Sequence, residues 1–125
     1  MHELGIAFHI IKEVDRFAEE RHIDAVKGVT LEIGEVSGVI PSYLKDVWVW
    51  ACENRSNHMK GCKLTILEMK AISYCEDCKE TYDTVKTGRT CPRCQGANTY
   101  LVEGDQITIH SIAVEEENTN GEAAA

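Results

Sequence analysis

The sequence has no apolar run approaching the ~20 residues that a membrane-spanning helix needs. Its first segment does not read as a secretory signal. No basic stretch precedes the apolar residues, and Lys12, Glu13, Asp15 and Arg16 interrupt them. Cations are also scarce: 13 Lys and Arg stand against 21 Asp and Glu, a formal net charge of −8. Nucleic acids and anionic membranes reward clustered Lys and Arg, so neither is expected as a partner. Gly-rich phosphate loops are missing, and no Ser/His/Asp or Cys/His set has a recognisable context. The expectation is a cytoplasmic protein that is not an enzyme. Thiols stay reduced in that compartment. Six cysteines there point to metal rather than to disulfides.

With 125 residues, 43% of them hydrophobic, the chain has room for one cored domain and a small appendage. Over residues 4–21, Leu4, Ala7, Ile11, Val14 and Ala18 recur at helical spacing, with charges mostly opposite. "VKGVTLEIGEVSG" alternates Val29, Leu31 and Ile33 with polar neighbours and reads as a strand ending at Gly34. Pro41 suits a first helical position. Leu44, Val47, Trp48 and Ala51 then continue a second helix to about Asn54. "GCKLTILEM" reads as a second strand, and Ile107 and Ile109 begin a third that runs to Val114 and returns to the main sheet.

Between these strands lies a segment with little aliphatic content, "YCEDCKETYDTVKTGRTCPRC". Cys75, Cys78, Cys91 and Cys94 are spaced C-x2-C-x12-C-x2-C. Each C-x2-C sets two thiolates on one tight knuckle, and two facing knuckles make a tetrahedral sulfur cage. The reading is structural Zn(II), with metal binding and folding as one event. An iron centre of rubredoxin type also takes four thiolates. Residues 71–103 carry four cations against five acids, so the basic footprint of a nucleic-acid reader is absent. The expected fold class is therefore α+β: a small mixed β-sheet with two helices over residues 1–70 and 104–115, an inserted four-cysteine zinc-ribbon module over 71–103, and a disordered acidic tail over 116–125.

Cys52 and Cys62 fall on the buried faces of the second helix and second strand and read as core packing. Trp48 and Trp50 are two apart and cannot share a helix face, so one belongs in the core and the other at the surface, as an anchor for a partner. His9, His22, His58 and His110 are scattered and read as solvated or locally bonded rather than as ligands.

His2 is different. Methionine removal requires a small second residue, so Met1 is expected to stay. The chain then starts with a free amine followed by His2. The amine, the deprotonated His2 amide and the His2 imidazole form two fused chelate rings, a planar nitrogen array suited to Ni(II) or Cu(II). The fourth donor is the Glu3 amide, the Glu3 carboxylate or an atom from elsewhere.

"MHEL" at the start, "LEIGEVSGV", "WVW", "GCKLTILE", "CEDC" with "CPRC", and "ITIHSIAVE" together resemble the HypA/HybF hydrogenase nickel-incorporation proteins. The resemblance runs from Met1 to about Glu115. It implies a metallochaperone with a nickel-binding α/β domain and a zinc domain. By it His2 is the indispensable ligand for Ni(II), a transient cargo, with Met1 and Glu3 assisting, while the four cysteines hold structural Zn(II). It also implies two partners, a HypB-type GTPase and the [NiFe]-hydrogenase large-subunit precursor. Two departures stand out: tryptophans replace the usual phenylalanine pair, and Ser56-Asn57 replaces a frequent Gly-Thr. A zinc-ribbon adaptor without a nickel role is the alternative, and the visible charge does not favour it.

Overall fold

A computed structural model describes residues 3–115. In chain order the elements are helix α1 (Glu3–Glu20), strand β1 (Val26–Gly34), helix α2 (Pro41–Arg55), strands β2 (Lys63–Met69), β3 (Ile72–Cys75) and β4 (Glu80–Asp83), the short helix α3 (Thr84–Thr87), and strands β5 (Thr99–Glu103) and β6 (Ile107–Val114). They make an α+β fold with two three-stranded sheets, ordered β2-β1-β6 and β4-β3-β5. The late strand β6 does return to the sheet of β1 and β2. The expected acidic tail, 116–125, lies outside the described residues.

Two compact units divide the described chain: residues 3–31, 40–65 and 109–115 in one, residues 32–39 and 66–108 in the other. In the first, Ala7, Ile10, Ile11, Val14 and Ala18 form the buried stripe of α1, as the spacing in the sequence predicts except at Leu4, which lies in the first turn and is 37% exposed. α2 buries Leu44, Trp48, Ala51 and Cys52. Trp48 is the interior tryptophan at 1% exposure, and its indole Nε1 donates to the Cys62 carbonyl at 3.1 Å. Trp50 is 51% exposed, its ring 6.4 Å from that of Phe8. The guanidinium of Arg55 stacks on the other ring of that pair, Phe8, at 4.5 Å.

Polar joints fix the helix ends. α1 stops where His22 turns left-handed (φ 58°) and the Ile23 amide reaches back to the Ala18 carbonyl. Ser56 closes α2. Its hydroxyl donates to Asp15 Oδ1 at 2.7 Å and accepts the amides of His58 (3.1 Å) and Met59 (3.0 Å). One hydroxyl thus ties α1, the end of α2 and the following turn. The start of α2 has Pro41 in its first turn as expected, but Ile40 at the cap has no oxygen of its own to offer.

The second unit is built round β3, antiparallel to β4 on one side and to β5 on the other. Its backbone passes closely at Gly34 and Gly104. A Cβ on Gly34 would collide with the Gly104 carbonyl, and one on Gly104, itself at φ +113°, with Ala71. Glu35 holds this crossing with a carboxylate that accepts the Ala71 amide at 2.9 Å.

Candidate metal centre

The C-x2-C pairs form two equivalent knuckles. Lys79 follows the first and Gln95 the second, both left-handed at φ 58° and 60°. The Lys79 amide donates to the Cys75 carbonyl at 2.7 Å, and the Gln95 amide to the Cys91 carbonyl at 2.8 Å. Each knuckle also turns an amide toward sulfur: Cys78 N to Cys75 Sγ and Gly96 N to Cys94 Sγ, both at 3.4 Å.

All four sulfurs lie within 4.8 Å of one another. Cys75 and Cys94 are 3.7 Å apart and Cys78 and Cys91 3.8 Å. A tetrahedron with metal–sulfur bonds of about 2.3 Å puts neighbouring sulfurs about 3.8 Å apart. The donor set and spacing therefore fit a four-coordinate thiophilic ion such as Zn(II). No position is left over for a catalytic water. Cys75 and Cys91 are fully buried, Cys78 partly, Cys94 exposed. Without metal the Cys91 and Cys78 thiols shift in opposite directions. The Cys94 amide holds Cys91 down to about 6. The hydrogen bond with Cys94 pushes Cys78 up to about 12.

Tyr82 completes the cage and was not singled out from the sequence. It is the one aromatic residue between the knuckles, packs on Cys75 and Cys91, and donates its hydroxyl to the Gly88 carbonyl at 2.8 Å. Its isolation among polar residues was the available signal. Cys52 and Cys62 are interior, as expected from their positions, at 1% and 5% exposure. The hydrogen bond with Cys62, then burial, raises the Cys52 thiol far above the ordinary range. Among the described residues the four-cysteine cage is the only group of three or more potential donors that could hold an ion.

Of the expected nickel ligands, Met1 and His2 lie outside the described residues. Glu3 opens α1, and its Oε2 accepts the Ile40 amide at 3.1 Å. A carboxylate from the first helix thus stands in for the missing cap of the second, where the helix dipole favours an anion. This bond ties the first turn of α1 to the start of α2. His58 is held by partners distant in sequence, with Nδ1 at 3.2 Å from the Asp24 carbonyl and Nε2 at 3.5 Å from Glu19.

A four-sulfur cage in an α+β fold marks a small protein with the donors to hold a metal ion. A family model described as "Hydrogenase/urease nickel incorporation, metallochaperone, hypA" matches residues 1–114, and the chain belongs to that family. "Hydrogenase maturation factor HypA" of Chlorobium phaeobacteroides (strain BS1) is 35% identical over 115 residues, covering 92% of this chain and 100% of that protein. "Hydrogenase maturation factor HybF" of Salmonella typhimurium is 30% identical over the same shares of each chain. The solution structure of the Ni metallochaperone HypA from Helicobacter pylori has the same fold, with a TM-score of 0.70 at 22% identity, covering 94% of this chain and all of that one. The family is one of metallochaperones and maturation factors. Among the described residues no helix is long and apolar enough to cross a membrane.

Proposed function

We propose that this chain carries Ni(II) at its amino terminus and delivers it for insertion into the large-subunit precursor of a [NiFe]-hydrogenase, in concert with a HypB-type GTPase. The observation that carries this reading is the match to the nickel-incorporation family from residue 1 to 114, which includes the opening Met1-His2-Glu3. The Met1 amine, the His2 amide nitrogen and the His2 imidazole supply three nitrogens in one plane, an arrangement suited to Ni(II). Glu3 assists. Its bond to Ile40 supports a role in steadying the chelate against α2, and the fourth donor is the Glu3 amide, the Glu3 carboxylate or an atom from elsewhere.

In this reading residues 1–70 and 104–115 form the nickel-binding part and 71–103 the zinc part. Cys75, Cys78, Cys91 and Cys94 hold Zn(II), which acts as a cross-link where the segment has too little apolar surface to order itself. Cargo passes by protein contact. Nickel ranks below copper in the usual affinity order, so free release would invite the wrong metal into either protein. The test is titration of the native-terminus protein with Ni(II) beside His2→Ala. The variant should lose stoichiometric nickel and keep its zinc. Equal nickel binding by both proteins would remove His2 from the site.

A further inference from the structure

The sheet around the sulfur cage guards one of its edges and leaves the other open. On the β4 edge, Arg93 Nε pairs with Glu80 at 3.3 Å and Arg93 Nη2 donates to the Thr81 carbonyl at 3.4 Å. Lys70 pairs with Asp83 at 3.2 Å, and the chain then turns straight into α3. Charges, a covered carbonyl and a short strand are the usual means of blunting an edge. The β5 edge carries no Lys, Arg or Pro; its one charge, Glu103, stands at its end, and a register shift against β3 sets Val102 between the paired residues Leu101 and Glu103. Its central residues are Tyr100, Leu101 and Val102, exposed by 53%, 36% and 52%. Among the described residues their backbone pairs with β3 and with no other segment. A strand that is apolar, unpaired on one side and free of Lys and Pro is a template for another strand.

The surroundings specify the guest. Glu103 and Asp105 stand at one end of β5. At the other, Asn98 lies beside Glu76 and Asp77, bonded to the Glu76 amide at 3.0 Å and to Asp77 Oδ1 at 3.4 Å. The unit as a whole holds nine acidic and five basic residues, a net charge of −4 before the thiolates are counted. A groove of about 540 Å³ beside β5 is lined by Val36, Ser73, Thr84, Arg89 and Leu101. It would receive small apolar or hydroxyl side chains from every second position of an added strand.

We propose that β5 is a docking edge for an extended segment of a partner protein, apolar at alternate positions and cationic at both ends, which adds a fourth strand to this sheet. A second copy of this chain is disfavoured, because two units of net −4 would meet. The chain's own residues 116–125 are disfavoured too, since they carry three glutamates and no cation. The proposal does not rest on nickel, and nickel titration cannot decide it.

The probe is a synthetic peptide of alternating Val and Thr with Lys at each end, added to the full-length, zinc-supplied protein and followed by backbone amide NMR. Two control peptides replace the end lysines by Glu, or the central Val by Pro. The Lys-ended peptide should shift and protect the amides of residues 99–103. It should bind about tenfold or more tightly than the Glu-ended one, as expected where like charges would be juxtaposed. The Pro peptide should not bind, and Val102→Lys should abolish binding with the remaining spectrum unchanged. Four outcomes would overturn the proposal: shifts centred away from β5, equal binding of the three peptides, no binding at all, or concentration-dependent shifts at β5 without peptide, which would assign the edge to a second copy. The wild-type protein with the three peptides decides the matter even if Val102→Lys fails to fold.

Discussion

At the residue scale, the two tryptophans separate packing from presentation. Trp48 fills the interior and also satisfies the Cys62 carbonyl. Trp48→Ala should cost about 3–5 kcal/mol in urea unfolding, from the cavity and the unpaired carbonyl together. Trp50→Ala removes a half-exposed ring beside Phe8 and should cost about 1 kcal/mol or less. If Trp50 anchors the GTPase partner, that variant should bind the partner more weakly while remaining folded. Equal stability losses in the two variants would remove the docking role. Glycine at position 34 is required for a different reason, the close passage of the Gly104 backbone. Gly34→Ala should destabilise by about 1–3 kcal/mol, the usual range for overpacking, measured by thermal unfolding. The sequence showed Gly34 as the end of a strand. It could not show the collision, because the partner backbone lies seventy positions away.

At the element scale, legibility followed the source of order. α1, α2, β1, β2 and β6 were readable because each alternates apolar and polar residues with the period of its own geometry, as Val29, Leu31 and Ile33 do in β1. Strands β3, β4 and β5 were not read. Glu80–Asp83 is "ETYD" and has no apolar alternation, since the buried cluster beside its sheet is made of Cys75, Cys91 and Tyr82 rather than of an aliphatic face. The cage itself was fully legible from spacing. The Ser56 joint and the Glu3–Ile40 bond were not, being contacts across 41 and 37 positions. Cys78→Ser should therefore release zinc and open residues 73–100 to protease, while the nickel-binding part stays folded. Retention of stoichiometric metal and protease resistance would contradict the four-cysteine assignment. Glu3→Ala should lower stability by about 0.5–2 kcal/mol through loss of the α2 cap, whereas Glu3→Gln keeps an acceptor oxygen and should recover most of it.

At the scale of the whole molecule, the proposed division of labour gives each metal its own logic. On this proposal zinc would be enclosed by four thiolates and stay, whereas nickel would sit on an open chelate at the chain's start and leave. Acid should release nickel as pH falls through the imidazole range, since the ring must be neutral to coordinate and its ordinary pKa is about 6.5. The central claim is that the α-amine of Met1 is itself a ligand, and adding two residues before Met1 tests it most directly. The extension converts that amine to an amide and moves the histidine to position 4, where the fused amine–amide–imidazole rings cannot form. One added residue is a weaker test, because a histidine at position 3 makes a nickel chelate of its own. The cysteines lie more than seventy residues away, so the extended protein should fold and hold zinc as before. Its Ni(II) titration, followed by absorption spectroscopy, should show weakened binding and loss of the native spectrum. Unchanged affinity and spectrum in the extended protein would contradict the claim and require a nickel site built from side chains alone.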